Sequence, residues 1–439
     1  MKDSGIEWIG EIPDDWDIKS LKVILAERKE NNNPIKTDFI LSLTMDKGVI
    51  PYTEKEGGGN KAKEDLTAYK LAYPNDIVLN SMNVIVGSVG LSKYFGCVSP
   101  VYYMLYPKNS DDSVHFYNDI FQSKVFQDSL IGFGNGIMMK QSETSGKLNT
   151  IRLRIPMSKL NTVMLPYPTP KEQQKIVEYL DEKVSKIDKI ITETTLSIEE
   201  YKKYKQSLIT EAVTKGLNSD VEMKESGIEW IGEIPKQWEV NRLRNIADIA
   251  RGTVDKNVKD NEIPVMLIQY TNIYKEREQR ETNVYLPITV TDSELIKAKV
   301  LKGDVLLTAS SETADDIGHS SVIVDDMDNH VFGSDILRIR ILKTKMILSY
   351  KKYFMENYIY LHVFDMLCRG ITRFRFSMDD FKSIKYVIPP LEEQQKIAKY
   401  LDQKCSHIDN LITQKQQLLI ELNTYKKSLI YECVTGKRR

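Results

Sequence analysis

Two stretches of the chain repeat apolar residues at helical spacing over more than forty positions. After Pro170, the residues Leu180, Ile187, Thr194, Tyr201 and Leu208 recur every seven positions, and Val177, Val184, Ile191 and Ile198 form a second row. After Pro390, Leu401, Ile408, Leu422 and Leu429 hold one row, and Cys405, Ile412 and Leu419 the other. Two apolar rows at this period are a coiled-coil seam, interrupted by Lys205, Lys415 and Lys426. Neither stretch has a proline beyond its start, and Glu, Lys, Gln, Leu and Ile dominate, so both are predicted to be long helices. A stripe of this kind can also simply cover a core, but forty residues is long for that role. Elsewhere short apolar runs alternate with turn signals, as in DIVLNSMNVIVGSVG from Asp76 and GDVLLTASS from Gly303. Helical patterns lie between them, from Ser113 and from Ser349. Strand order does not follow from these patterns.

The pattern is written twice. SGIEWIGEIP from Ser4 to Pro13 recurs from Ser226 to Pro235, and Trp16 and Leu21 recur as Trp238 and Leu243, 222 positions on (238 − 16). Glu172-Gln173-Gln174-Lys175-Ile176 recurs as Glu393-Gln394-Gln395-Lys396-Ile397, 221 positions on (393 − 172). Ile187-Asp188 matches Ile408-Asp409 at the same offset. Asp76-Ile77-Val78-Leu79 matches Asp304-Val305-Leu306-Leu307 at 228 (304 − 76), so the two globular stretches are expected to share a fold. The expectation is two copies of a mixed α/β (α+β) domain, at residues 1–165 and 217–386, each followed by a helical spacer, at 166–216 and 387–439. Few residues separate Gly216 from Ser226, so the second helix buries its seam by running back along the first. That gives an antiparallel pair, a nearly circular chain and a pseudo-twofold axis. Forty-odd helical residues span about 60–65 Å, enough to hold two domains near half-sites about 34 Å apart on duplex DNA.

Composition narrows the class without deciding it. At 439 residues with 41% hydrophobic and 28% charged residues, the chain reads as a multi-domain globular protein. No apolar run reaches membrane-spanning length, and the start lacks a signal peptide's apolar core, so a cytoplasmic protein without membrane contact is expected. Cys97, Cys368, Cys405 and Cys433 lie far apart, as befits reduced thiols. The net charge of −1 argues against coating DNA by charge alone, although the distribution of charge matters more than its sum.

Catalytic motifs are missing from the sequence. Gly57-Gly58-Gly59-Asn60-Lys61 lacks phosphate-loop spacing, Ile388 precedes Pro389-Pro390 where an amino-methyltransferase motif needs Asn or Asp, and the five histidines show no ligand spacing. No metal and no cofactor are expected in this chain.

The run IPPLEEQQKIAKYLDQKCSHID from Ile388, its partner YPTPKEQQKIVEYLDEKVSKID from Tyr167, and the duplicated GIEWIGEIP head with its following Trp resemble the specificity subunits of type I restriction-modification systems. Thr169-Pro170 in place of Pro390-Leu391 is the one departure at the helix entries. The resemblance covers the whole chain. It implies target-recognition domains that read double-stranded DNA, and paired helices that set half-site spacing and dock two methyltransferase subunits. It also implies ATP-dependent restriction subunits, with S-adenosylmethionine, ATP and Mg used by the partners. Two other classes stay open at this point: a coiled-coil interaction or scaffold protein without DNA, and a self-sufficient DNA-modifying enzyme.

DNA contacts are expected where the copies diverge and polar residues crowd turns. In the first domain these are Asn80, Ser81, Asn83 and the stretch from Lys140 and Gln141 through Ser145 to Lys147. In the second they are Arg251, Thr253, Arg277, Ser310, Ser311, Thr313 and Arg369. Arg152 and Arg154 align with Arg373 and Arg375 at the 221 offset (373 − 152). On a strand both members of each pair share one face, which suits phosphate positioning. Pairing with an acid such as Asp379 or Glu393 explains them equally well. The coiled-coil contacts fall to Leu180, Val184, Ile187, Ile191, Ile198, Leu208, Leu401, Ile408, Ile412, Leu419, Leu422 and Leu429.

Overall fold

The computed structural model describes residues 1–438 apart from positions 46, 56–61, 135–153, 315–316, 343, 356–357 and 371. The chain forms two compact units, Met1–Thr195 with Gln417–Arg439, and Leu196–Gln416. The helices Pro170–Lys215 and Leu391–Val434 are continuous, so each contributes residues to both units. No described helix is long and apolar enough to cross a membrane.

The first unit is built on a four-stranded antiparallel sheet in the order Leu25–Arg28, Tyr102–Pro107, Ile77–Asn80, Val89–Leu91. Both faces are covered. Ile77 and Leu79 enter the main core beside Phe116 and Phe121 of the helix Val114–Gln122, while Val78 packs with Leu41, Leu43 and Met104 on the other side. This explains why the run reads as continuously apolar instead of alternating. The second unit repeats the arrangement with Ala247–Arg251, Ile336–Ile341, Val305–Thr308 and Ser320–Ile323, and adds Glu278–Gln279 parallel to the last. Val305 and Leu307 enter one core and Leu306 the other.

The matched Asp76 and Asp304 open the equivalent strands and are buried. Asp76 accepts from Arg28 Nε and Nη2 at 2.8 and 3.0 Å, and Asp304 from Arg340 at 2.7 Å twice. A buried carboxylate needs such a partner, and the two units supply the arginine from different strands. The helical pattern from Ser113 is interrupted: Ser123 is extended and separates Val114–Gln122 from Lys124–Ser129.

Each unit ties its ends together before its long helix begins. Asp17–Ser20 pairs with Met164–Tyr167, and Glu239–Arg242 with Lys385–Ile388. The helix entries differ as the sequence indicated. Thr169 accepts from the Glu172 amide at 3.4 Å ahead of Pro170, a cap that the Pro389-Pro390 entry lacks. The first glutamine of each E-Q-Q block is fully buried. Gln173 Oε1 accepts from Ser113 N at 2.7 Å, and its Nε2 donates to Pro168 O and Asp112 Oδ1 at 3.1 and 3.2 Å. Gln394 repeats this with Ile347 N at 3.0 Å, Pro389 O at 2.9 Å and Lys345 O at 3.1 Å. The motif is thus a pin between a long helix and the N-terminus of the domain helix beside it.

The far ends of the long helices close on the duplicated heads. Gly436 has φ +71°, and a Cβ there would lie 2.5 Å from Pro13 Cδ and 3.1 Å from Trp16 Cη2. Gly216 has φ +80°, and its Cβ would lie 2.7 Å from Glu393 Oε1 and 3.3 Å from Trp238 Cζ2. Only glycine suits these left-handed helix ends. In the first unit Lys437 Nζ also donates to Ile9 O at 2.8 Å, so the C-terminal segment lies against the first head.

The helices pack antiparallel within each unit. Asp188 meets Lys426 at 2.6 Å in the first unit, and Lys205 meets Asp409 at 2.6 Å in the second. These are one interaction written twice, since 426 − 205 and 409 − 188 are both 221. The third lysine of the seam, Lys415, lies 5.7 Å from the Tyr201 ring. Leu180, Ile187, Ile198, Leu208, Leu401, Ile408 and Leu429 are buried, while Val184, Ile191, Ile412, Leu419 and Leu422 are half-buried along the same rows. The seam therefore runs over the residues that the period selected.

One seam-side carboxyl is perturbed. Burial pushes Asp119, on Val114–Gln122, up to about 8, and the nearby Asp181 carboxylate adds to the shift. At the equivalent place in the second unit (353 − 119 and 347 − 113 are both 234), Tyr353 donates its hydroxyl to Asp402 at 2.6 Å. The folded value of Asp119 lies above the ordinary carboxylate value of about 3.9. As pH rises from 4 to 8 the unfolded chain releases this proton while the folded unit keeps it, and stability falls until about pH 8. Asp119→Asn removes that loss. Its unfolding free energy is expected to match wild type near pH 4 and to exceed it increasingly up to pH 8, by about 1–3 kcal/mol, with the melting temperature rising in step. A constant difference across this range would contradict the assignment.

Candidate nucleic-acid interface

The matched central strands end at equivalent cavities. In the first unit the chain leaves Ile77–Asn80 at a cavity of about 440 Å3, lined by Asn80, Asn83, Ser42, Tyr52, Lys55 and Tyr102 among others. In the second it leaves Val305–Thr308 at one of about 430 Å3, lined by Ser310, Ser311, Glu312, Asp335, Thr372 and Arg373 with Tyr270. Ser310 and Ser311 stand 228 positions after Met82 and Asn83 (311 − 83), the offset of the strands themselves. The frame is thus repeated and its lining is not.

Beside the second cavity lies a three-stranded ribbon, Ser310–Ser311, Phe374–Phe376 and Cys368–Arg369. Ser310, Arg375 and Arg369 are direct cross-strand partners and so share one face. Arg369 is 84% exposed with Asp380 at 3.9 Å, and Arg375 is exposed. Two arginines placed side by side repel each other, so this face favours an anion. Arg373 differs: its Nη2 sits 2.9 Å from Asp335 Oδ2 and donates to Ser310 Oγ at 3.2 Å. For Arg373 the acid-paired alternative holds, with Asp335 in place of Asp379 or Glu393. Glu393 is instead engaged by Trp238 Nε1 at 2.7 Å and Gln237 at 3.2 Å.

Other expected contacts are redistributed. Ser81 is buried and donates to Val101 O at 2.8 Å, so it braces the turn instead of facing a groove. Arg277 hydrogen-bonds Cys405 on the second long helix, away from the strand-end cavity, because the helix offers its half-buried guanidinium a neighbour. Ser310 and Ser311 are buried, Ser310 donating to Asp335 Oδ1 at 3.2 Å. Asn80 accepts from Met82 N at 3.0 Å, which shapes the turn at the first cavity. Arg154, Arg251, Thr253 and Thr313 are exposed. Lys140, Gln141, Ser145, Lys147 and Arg152 lie outside the described residues. Glu312, Asp335, Tyr270, Tyr52 and Lys55 were missed by sequence reasoning. The signal for Glu312 was its place directly after the matched strand and its two serines, while the others come to the cavities from turns and a short helix distant in the sequence. Among the described residues no group of three or more His, Cys, Asp or Glu is placed to hold a metal ion.

Two copies of one mixed α/β frame, each with a strand-end cavity and spliced by long helices, define a duplicated recognition protein. Residues 235–423 match the family model of the type I restriction modification DNA specificity domain. The chain is 25% identical to a putative type I restriction enzyme MjaX specificity subunit of Methanocaldococcus jannaschii, over 98% of this chain and 95% of that protein. It is 24% identical to the MjaVIII specificity subunit of the same organism, over 98% and 94%. In fold it is similar to a solved chain of a type I R-M system, with a TM-score of 0.70 at 15% identity over 98% of this chain and all of that one. The HsdS subunit from Thermoanaerobacter tengcongensis follows at 0.53 and 14%, over 98% of each. Residues 235–423 thus carry a type I restriction modification DNA specificity domain, and over its whole length the chain is similar to specificity subunits of such systems.

Proposed function

We propose that the chain reads an asymmetric two-part duplex target, one part per unit, and holds two methyltransferase subunits. The observation that carries this reading is the pair of strand-end cavities at equivalent places with unlike linings. A repeated frame with one lining would read two like half-sites; unlike linings read unlike ones. The chain contributes no catalytic step. Adenine methylation with S-adenosylmethionine, and ATP- and Mg-dependent cleavage by restriction subunits, belong to its partners in the cytoplasm.

The full-length chain should be assayed for methyl transfer and for cleavage, first alone and then with its methyltransferase subunits. No activity is expected from the chain alone. Methylation should appear with the partners, and mapping it across a genome should give two unlike half-sites around an unread gap. Either activity from the chain alone, or a palindromic target, overturns the reading.

A further inference from the structure

The ribbon and cavity of the second unit carry a charge that a DNA-facing surface ordinarily avoids. Arg369, Arg373 and Arg375 make the neighbourhood basic. Asp335 is spent inside it, on Arg373 at 2.9 Å and Ser310 at 3.2 Å. Glu312 is different: it lines the cavity, is exposed, and has no ion pair among the described residues. Next to a phosphate such a carboxylate costs affinity. Against base edges it has one suitable partner, because it accepts hydrogen bonds and cannot donate them. Guanine and thymine present acceptors to the major groove. Adenine sets the acceptor N7 beside its amine, whereas cytosine offers the N4 amine without an adjacent acceptor.

We propose that Glu312 is a specificity-determining residue that accepts a hydrogen bond from a cytosine N4 amine, so that the half-site read by the second unit contains a C·G pair. The guanine of that pair presents O6 and N7 acceptors, which the exposed hydroxyls of Thr313 and Thr372 suit. The first unit differs at this place. Its cavity lining offers amides, hydroxyls and Lys55, with no carboxylate among the described residues, and Val84 stands where the offset of 228 puts Glu312 (312 − 84). The carboxylate is therefore a feature of one half-site only. The inference rests on the two-part DNA reading above, and the experiment separates the two.

Adenine methylation should be mapped genome-wide in cells carrying the complete system with the wild-type chain, Glu312→Gln or Glu312→Ala. The wild-type motif is expected to contain a C·G pair in one half, discriminated about 10- to 100-fold. Both variants should lower that discrimination to within about threefold, with the other half and the gap unchanged. Equal melting curves for the purified variants and wild type tie the change to recognition and not to folding. A wild-type motif without a C·G pair in either half overturns the assignment, as does a variant that reads the wild-type motif unaltered. A wild-type complex with no defined motif overturns the two-part reading itself.

Discussion

Gln394→Leu lowers the stability of the second unit by roughly 3–5 kcal/mol, on the order of 10 °C in melting temperature. The side chain is fully buried and makes three hydrogen bonds. Leucine fills a similar volume but leaves Ile347 N, Pro389 O and Lys345 O without their partner. Orphaned buried polar groups cost about 1–3 kcal/mol each, partly relieved where water can enter. The comparison that isolates this cause lies one residue away. Gln395 is exposed, and Gln174 reaches only Glu178 on its own helix, so Gln395→Leu is expected to shift stability by less than about 0.5 kcal/mol. Differential scanning calorimetry of the full-length chain checks both variants. Equal losses from the two neighbouring glutamines would mean that E-Q-Q acts through helix propensity and not as a pin. Gln173→Leu should repeat the result in the first unit.

That contrast shows what a sequence can and cannot disclose. The E-Q-Q block was visible as a repeat, yet nothing local distinguishes its two glutamines, because the groups they meet lie up to 61 positions away. The helices, the seam and its antiparallel sense were legible because period and linker length are local properties. The seam lysines read as interruptions only until Asp188 and Asp409 came opposite them. Identical sequence did not ensure identical surroundings either. Trp8 packs 4.9 Å from Phe126, whereas Trp230 in the same decapeptide is 43% exposed. Likewise Trp16 Nε1 is buried without a partner among the described residues, while Trp238 donates to Glu393. At the candidate interface, Asn80 and Ser310 were singled out by divergence and polarity, and Arg373 by its match to Arg152 in the other copy. Asp335 was not, since it joins Arg373 only through the folding of separate strands. Ser81 and Arg277 carry the right chemistry and spend it inside their own units.

Replacing Arg369 and Arg375 together by Gln weakens duplex binding on the order of 10-fold or more near 0.1 M salt, for target and unrelated sequences alike. The two stand directly opposite on the ribbon, where like charges destabilise the sheet by a few tenths to about 1 kcal/mol. A phosphate between them turns this repulsion into two charge-assisted contacts. Such contacts release counterions whatever the base sequence, so the slope of log affinity against log salt should become shallower by about 1 to 2. The methylation motif should stay as it is, in contrast to the effect expected at Glu312. Binding titrations from 50 to 300 mM salt with the complete complex supply the test. A changed motif with an unchanged slope would make these arginines base readers. Sheet repair strengthens the distinction: removing the repulsion should leave the melting temperature equal or slightly higher, so weaker binding would come from the lost contacts and not from a damaged unit.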